Sequence, residues 1–251
     1  MTDDMATLLT NAICLKRLQL NNLVFRQLGG VVKYGPLAGF TLIEDTSWGN
    51  DKCAKLLGFY EQELLAEMIP LLGPGKIFVD IGAADGFYAV GLPNAGLAQR
   101  CIAFEATENG RNVIEMTARN LNLLDRVDVR GICTEAALRE ALAGLDMKDV
   151  VMLCDIEGAE FEVMSEAVLR SLSGASVFIE IHDFDENGRD SYSMLKERAR
   201  RWFRVKEIKK AGRNPYHYAE LDHLDDTDHW LVCSEGRGPD QKWLSLTPIH
   251  G

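Results

Sequence analysis

The sequence predicts an α/β protein: a doubly wound, mostly parallel sheet closed by an antiparallel C-terminal hairpin, with an N-terminal cap ahead of it. Three observations carry this expectation. From Lys76 onward short β-rich runs alternate with longer amphipathic stretches, the rhythm of right-handed βαβ units. Most of those runs are apolar throughout, as they must be when helices cover both faces of a parallel sheet. Beyond Arg201 the rhythm stops, and β-rich runs follow one another across a polar loop, which pairs them antiparallel.

Strands are expected at Lys76–Ile81, Arg100–Glu105, Arg126–Ile132, Asp149–Asp155 and Ala175–Ile181. Arg126–Ile132 alternates polar with apolar residues, which suits a place near the sheet's edge. Helices are expected at Phe87–Leu97, Glu108–Leu121, Glu135–Ala143 and Ala159–Leu172, the first kinked or shortened by Pro93. After a helix at Ser191–Arg201, Trp202–Ile208 and His229–Ser234 read as the closing hairpin, with Gly212, Asn214 and Pro215 opening the loop between them. Trp243–Leu246 reads as one more short strand. Ahead of the sheet, Leu8–Leu20 reads as a helix and Gly30–Glu44 as a hairpin turning at Tyr34-Gly35-Pro36. Cys53–Leu72 reads as helical up to the stop signal Gly73-Pro74-Gly75. Residues 1–50 are therefore expected to be a cap or extension, and 51–251 the main domain.

Composition narrows the function. Of 251 residues 47% are hydrophobic and 26% charged, ordinary globular usage with enough apolar material for a core. A net charge of −11 repels phosphate backbones, so nucleic acid is not an expected partner. The basic run Lys196–Arg201 reads as a solvated helix face. Six cysteines are scattered without a CxxC pair, several of them inside apolar runs where a thiol acts as a small hydrophobe. That usage suits a reducing cytoplasm. Met1–Thr10 carries acids where a signal peptide needs a basic stretch. No run approaches the roughly 18 apolar residues of a membrane-spanning helix. A cytoplasmic protein without a membrane span is expected, and a homo-oligomer is left open.

The stretch Val79-Asp80-Ile81-Gly82-Ala83-Ala84-Asp85-Gly86-Phe87 follows an apolar strand and opens a helix, the context of a nucleotide-binding turn. Its small residues let the backbone approach a ligand closely. A dinucleotide fingerprint, G-x-G-x-x-G, would place its last glycine where Phe87 stands. Glu105, followed by Ala106, ends the next strand about 20 residues on, where a carboxylate accepts both hydroxyls of a ribose. Asp155 closes an apolar strand at the sheet's carboxyl edge, where ligands bind in open α/β sheets, and it can also cap the following helix. Glu157 and Glu160 read equally well as first-turn acids favoured by the helix dipole. Glu180 and His182 fall on one side of the next strand end and Asp183 on the other. His182, with an ordinary pKa near 6.5, is the candidate base. Asp155 with Asp183 or His182 could hold magnesium, but the cluster has no diagnostic spacing and no metal is expected.

The glycine turn resembles the first motif of class I S-adenosylmethionine methyltransferases, enzymes with a Rossmann-like sheet whose cofactor has no pyrophosphate and carries a cationic methionine end. The resemblance implies that Asp80 helps hold the methionine amine, while Gly82, Ala84 and Gly86 make room for it and Ala83 and Asp85 lie at the cofactor with them. It also implies that Glu105 and Ala106 meet the ribose and that Thr134 and Glu135 lie at the adenine edge, where they could equally cap a helix. Ala84 departs from the glycine of many members. Cys154-Asp155-Ile156-Glu157-Gly158-Ala159-Glu160 resembles the D-x-E-G-A-E signature of the FkbM-type methyltransferases. Leu57-Gly58-Phe59-Tyr60-Glu61 resembles the segment leading into that family's first helix, and Val177–His182 its fifth strand. The likeness covers roughly residues 30 to 250.

It implies O-methylation of a hydroxyl on a small molecule such as a sugar, lipid or natural product. S-adenosylmethionine would be the cofactor, anchored by Asp80, Glu105 and Asp155, with Asp155, Glu180 and His182 bordering the acceptor. Tyr60 and Glu61 line the pocket by resemblance alone, and acceptor-selecting segments are expected within residues 1–50 and Gly212–Asp228. Two rivals stand beside this reading. One is an NAD-type oxidoreductase, against which Phe87 and the Asp155–Glu160 segment count. The other is a non-catalytic, methyltransferase-like binding protein.

Overall fold

A computed structural model describes residues 3–43, 51–183, 186–238 and 241–249. The strands are β1 (Ile77–Ile81), β2 (Arg100–Phe104), β3 (Val127–Arg130), β4 (Val150–Cys154), β5 (Ser176–Ile181), β6 (Phe203–Lys209) and β7 (Lys242–Pro248). The helices run from α1 (Asp3–Leu28), α2 (Lys52–Leu56) and α3 (Gln62–Met68) to α4 (Phe87–Asn94), α5 (Glu108–Asn120) and α6 (Glu135–Leu142). They continue with α7 (Glu160–Val163), α8 (Glu166–Ser171), α9 (Glu186–Ala199) and α10 (Asp226–Val232). The chain forms two compact units: Met1–Gln62 with Ala211–Gly238, and Glu63–Lys210 with Pro239–Gly251.

The second unit holds a seven-stranded sheet in the order β3-β2-β1-β4-β5-β7-β6. β1 to β5 are parallel, and β7 runs antiparallel to both its neighbours. Alternate residues of these strands, Ile77, Val79 and Ile81 with Val150, Met152 and Cys154, face a core filled by Leu138, Val168, Leu169 and Leu195 from the covering helices. The residues between them point to the opposite face, and β1 is buried at every position. β3 is one of the two edge strands, and past the buried Val127 its residues are exposed or half-buried. Strand order reverses between β1 and β4, with Ile81 beside Cys154. At such a reversal the chain leaves the two strand ends in opposite directions and opens room for a ligand.

In the first unit α1 lays Leu20, Val24 and Phe25 against Cys53, Leu56, Leu57 and Phe59, and against Leu221, Val232 and Cys233. Asn21 secures this packing by accepting from the Cys53 N–H at 2.6 Å.

Several expectations need correcting. His229–Ser234 is not a strand: most of it lies in α10, whose N-cap Asp225 accepts from the Asp228 N–H and whose first turn carries Asp226 and Asp228. Acids at those positions satisfy the free N–H groups and oppose the helix dipole. The partner of β6 is instead β7, paired from Phe203 with Pro248 to Lys209 with Lys242. β7 is inserted between β5 and β6, with Trp243, Leu244 and Leu246 all buried. Ala159–Leu172 is two short helices, because Ser165 interrupts it and caps α8 by accepting from the Val168 N–H. Cys53–Leu72 is broken likewise, by the left-handed Gly58 between α2 and α3. Gly30–Glu44 makes one isolated bridge, Val31 with Thr41, and Glu44 lies outside the described residues.

If Asp225 caps α10, Asp225→Ala lowers stability by about 1 kcal/mol. Urea unfolding of the two proteins measures this, and an unchanged midpoint would contradict the capped helix.

Candidate active site

The turn after β1 is shaped by a close approach. Gly82 has φ 93°, and a Cβ there would lie 1.7 Å from the Asp155 carbonyl oxygen, so no side chain fits. Hydrogen bonds hold the rest. The Gly82 and Ala83 N–H groups donate to the Phe104 carbonyl at 2.9 and 3.0 Å, and Gly86 N–H to the Ala83 carbonyl at 2.8 Å. Ala84 N–H donates to Glu105 Oε2 at 2.9 Å, and Phe87 N–H to Asp85 Oδ1 at 3.2 Å. Five amides of the turn therefore have acceptors inside the protein. A pyrophosphate needs such amides free to point at it. Ala84 sits at φ 49°, a left-handed conformation that costs an alanine roughly 1 kcal/mol more than a glycine. Asp80 is buried on β1.

Glu105 is buried too, and its carboxylate is engaged. Oε1 accepts from the Thr107 N–H at 2.8 Å and its hydroxyl at 2.7 Å, while Oε2 takes the Ala84 N–H. Two oxygens offer about four acceptor positions, so Oε2 retains capacity for one more donor. Glu105 thus ties the end of β2 to the turn after β1. Ala106 is exposed, and its carbonyl accepts from Arg111 at 2.7 Å. Thr134 caps α6 by accepting from the Ala137 N–H. Glu135 is exposed, paired with Arg139 at 2.7 Å and accepting from the Ser165 hydroxyl at 2.9 Å. The Arg139 hydrogen bond, with help from Ser165, holds its carboxyl below the usual range.

The ends of β4 and β5 bring five polar side chains together. Glu157 at φ 55° and Gly158 at φ 109° turn the chain sharply, and the carboxylate of Glu160 folds back beneath the turn. Its Oε1 accepts from Ile156 N–H at 3.2 Å and Gly158 N–H at 3.1 Å, and lies 2.6 Å from His182 Nδ1. Glu160 is 0% exposed. The other ring nitrogen, Nε2, faces Glu157 at 3.4 Å and Asp155 and Glu180 at 3.8 Å each. Glu180 accepts from Trp243 Nε1 at 3.2 Å and from Gln241 Nε2. Asp183, on the other side of the strand end, pairs with Lys242 at 2.7 Å.

Burial opposes charge on His182, but the hydrogen bond to Glu160 and the surrounding carboxylates outweigh it and raise the ring's pKa above 6.5. Burial also opposes charge on Glu160, where the His182 hydrogen bond and the Gly158 N–H prevail and lower the carboxyl's pKa. Ligand atoms of Asp155, Glu157 and His182 lie within 4.8 Å of one another. An imidazole among carboxylates suits a transition ion better than magnesium. The same acids are equally well matched to an imidazolium. The nearby Cys154 thiol is pushed far up by burial and is no nucleophile.

The structure thus places Asp155, Glu180 and His182 together, with Gly82 in backbone contact with Asp155. Glu105 meets Ala84, while Thr134 and Glu135 serve α6. Glu160, read from the sequence as one of two dipole-favoured acids, is the residue that holds the imidazole. Its signal was the last acid of the D-x-E-G-A-E segment.

No protein-family model matches the chain, and no curated protein matches it in sequence. Solved structures are similar in fold. The tRNA (m1A58) methyltransferase TrmI from Aquifex aeolicus aligns with TM-score 0.52 at 15% identity, over 86% of this chain and 75% of that one. An O-methyltransferase from Bacillus cereus in complex with SAH gives 0.49 at 14% identity, over 74% and 78%. An rRNA methylase from Streptococcus thermophilus gives 0.47 at 15%, over 76% and 95%. The Rossmann-like sheet with its antiparallel C-terminal hairpin is the fold expected from the sequence.

The Glu160–His182 pair has a definite pH signature. The raised His182 pKa contributes stability that is complete below 6.5 and lost as pH rises through the folded value. The lowered Glu160 pKa contributes stability present above 4.5 and lost as pH falls through its folded value. Glu160→Gln should therefore cost about 1–3 kcal/mol near pH 5.5 and less near pH 8.5, and the His182 ring should titrate lower by NMR. A larger loss at the alkaline pH would contradict the pairing.

Proposed function

We propose that this protein is an S-adenosylmethionine-dependent methyltransferase of the FkbM type, transferring a methyl group to a hydroxyl of a small molecule in the cytoplasm. The observation that carries the reading is the pairing of two features at neighbouring strand ends. One is a tight turn whose amides are used internally, set among acids. The other is a buried imidazole held by a carboxylate. The first suits a cofactor with a cationic end and no pyrophosphate, and it disfavours the NAD-type alternative. The second suits removal of a proton, which a purely binding protein has no need of.

When bound, the cofactor supplies the methyl group on a sulfonium for in-line displacement, a reaction that gains mainly from orientation. On this reading Asp80 receives the amino end, and Glu105 Oε2 accepts from the ribose while Oε1 keeps the turn closed. Ala83, Ala84, Asp85 and Gly86 complete the turn, with Ala106, Thr134 and Glu135 beyond it. Glu160 accepts a hydrogen bond from His182 Nδ1–H, a tautomer that leaves Nε2 as the acceptor. The hydroxyl proton passes to Nε2 as its oxygen takes the methyl group. Asp155, Glu157 and Glu180 then face the new imidazolium and favour it by Coulomb attraction. No metal is assigned a role.

His182→Asn should lower turnover by about 10²–10⁴-fold and leave S-adenosylhomocysteine binding unchanged in titration calorimetry, with Asp80→Asn weakening that binding. Folded wild-type protein that binds neither S-adenosylmethionine nor S-adenosylhomocysteine would end the proposal. Assayed with methyl-labelled cofactor against hydroxylated glycosides, lipids and polyketide alcohols, turnover should survive EDTA. Loss that a divalent ion restores would assign Asp155, Glu157 and His182 to a metal instead.

A further inference from the structure

α1 is apolar on two opposite faces, and the first unit uses only one of them. Leu20, Val24 and Phe25 are buried in that unit's core, whereas residues 4–16 are exposed at every position. Within that stretch Met5, Leu8, Leu9 and Leu15 are 54%, 64%, 56% and 63% exposed. Isolated helices of about this length are marginal in water, and the apolar stripe of a helix is normally covered by another element.

The spacing points to what covers it. Met5, Leu8, Ala12 and Leu15 follow one another by three, four and three residues, the seam of a helix pair. The seam is also symmetric about Thr10: Met5 and Leu15 are equidistant from it, as are Leu8 and Ala12. An isologous dimer requires that self-complementarity. An antiparallel pair sets Met5 over Leu15 and Leu8 over Ala12, alternating bulky with small residues. It also keeps Asp4 of one copy far from Asp4 of the other, and Lys16 from Lys16, where a parallel pair would bring like charges together. Exposed seam residues offer on the order of 500 Å² per copy, near the lower bound of about 1,000 Å² in total for a specific interface. A membrane surface fits less well, since such helices carry a lysine- and arginine-rich polar face and residues 4–16 hold only Lys16.

We infer that residues 4–16 of α1 form a dimerisation surface, on which the same helix of a second copy packs antiparallel. The protein should sediment as a dimer at tens of micromolar. Leu8→Glu and Leu15→Glu should each convert it to a monomer with unchanged circular dichroism and thermal unfolding. Ile132→Glu, at an exposed apolar residue of the sheet unit, should leave the dimer intact. In a Cys14→Ser background, Leu9→Cys lies beside the two-fold axis and should cross-link the copies under mild oxidation, which a parallel pair would not allow. A wild type that stays monomeric, whether or not it binds neutral vesicles, overturns the inference. So does a dimer that survives Leu8→Glu.

Discussion

The backbone approach between Gly82 and Asp155 is the constraint on which the rest of the site depends. β1 and β4 run parallel and end level, with Ile81 beside Cys154, and the Asp155 N–H extends the ladder by donating to the Ile81 carbonyl at 2.8 Å. Past that bond the chains separate, one into the turn that leads to α4 and the other into the turn that leads to α7. With hydrogen in place of a side chain at residue 82, the two turns can touch. Segments some 70 residues apart are thereby fixed against one another by backbone, and backbone contacts tolerate little rearrangement.

A second constraint is electrostatic. Glu160 is fully buried at the edge of an apolar core, where an ionised carboxylate without partners would be very costly. Two backbone N–H groups and an imidazole converge on its Oε1, and those bonds favour the ionised form, while Oε2 has no hydrogen-bond partner among the described residues. Glu180 is handled the same way from β7, through Trp243 and Gln241. The strand inserted between β5 and β6 therefore does more than extend the sheet. It supplies the donors that let a second acid stand buried within 4 Å of the imidazole.

Such arrangements explain which parts of the molecule were legible in the sequence. β1, β2, β4 and β5 were legible because buried parallel strands must be apolar on both faces, a pattern that needs no partner to be recognised, and β3 because its alternation marks an edge. α10 was not, because His229-Trp230-Leu231-Val232-Cys233 is short and apolar, and such a run serves helix or strand equally. Only Asp225 three residues ahead of Asp228 marks it as a capped helix. The placement of β7 was hidden for a related reason: Trp243, Leu244 and Leu246 say that a strand is buried, not between which neighbours. At the site, the residue types at Asp80, Glu105, Asp155 and His182 were readable, but their partners were not. Glu105 meets an amide 21 residues away, and Glu160 reaches His182 only because Glu157, a non-glycine residue, adopts a positive φ. Sequence gives no warning of that.

The charge of the strand ends carries the reading furthest. Asp80, Asp85, Glu105, Asp155, Glu157, Glu160 and Glu180 are all acids, and His182 stands among the last four. A turn with free amides could offset such a field locally and still receive an anion. Here the amides of Gly82, Ala83, Ala84, Gly86 and Phe87 are directed at protein oxygens, two of them at the carboxylates of Glu105 and Asp85, so these five are not free to receive an anion. A pyrophosphate brought to this edge would meet carboxylates without the donors it needs. A sulfonium with an ammonium group would meet the same carboxylates as partners. The charge that this edge could accommodate is set less by any single acid than by where the turn's own N–H groups point.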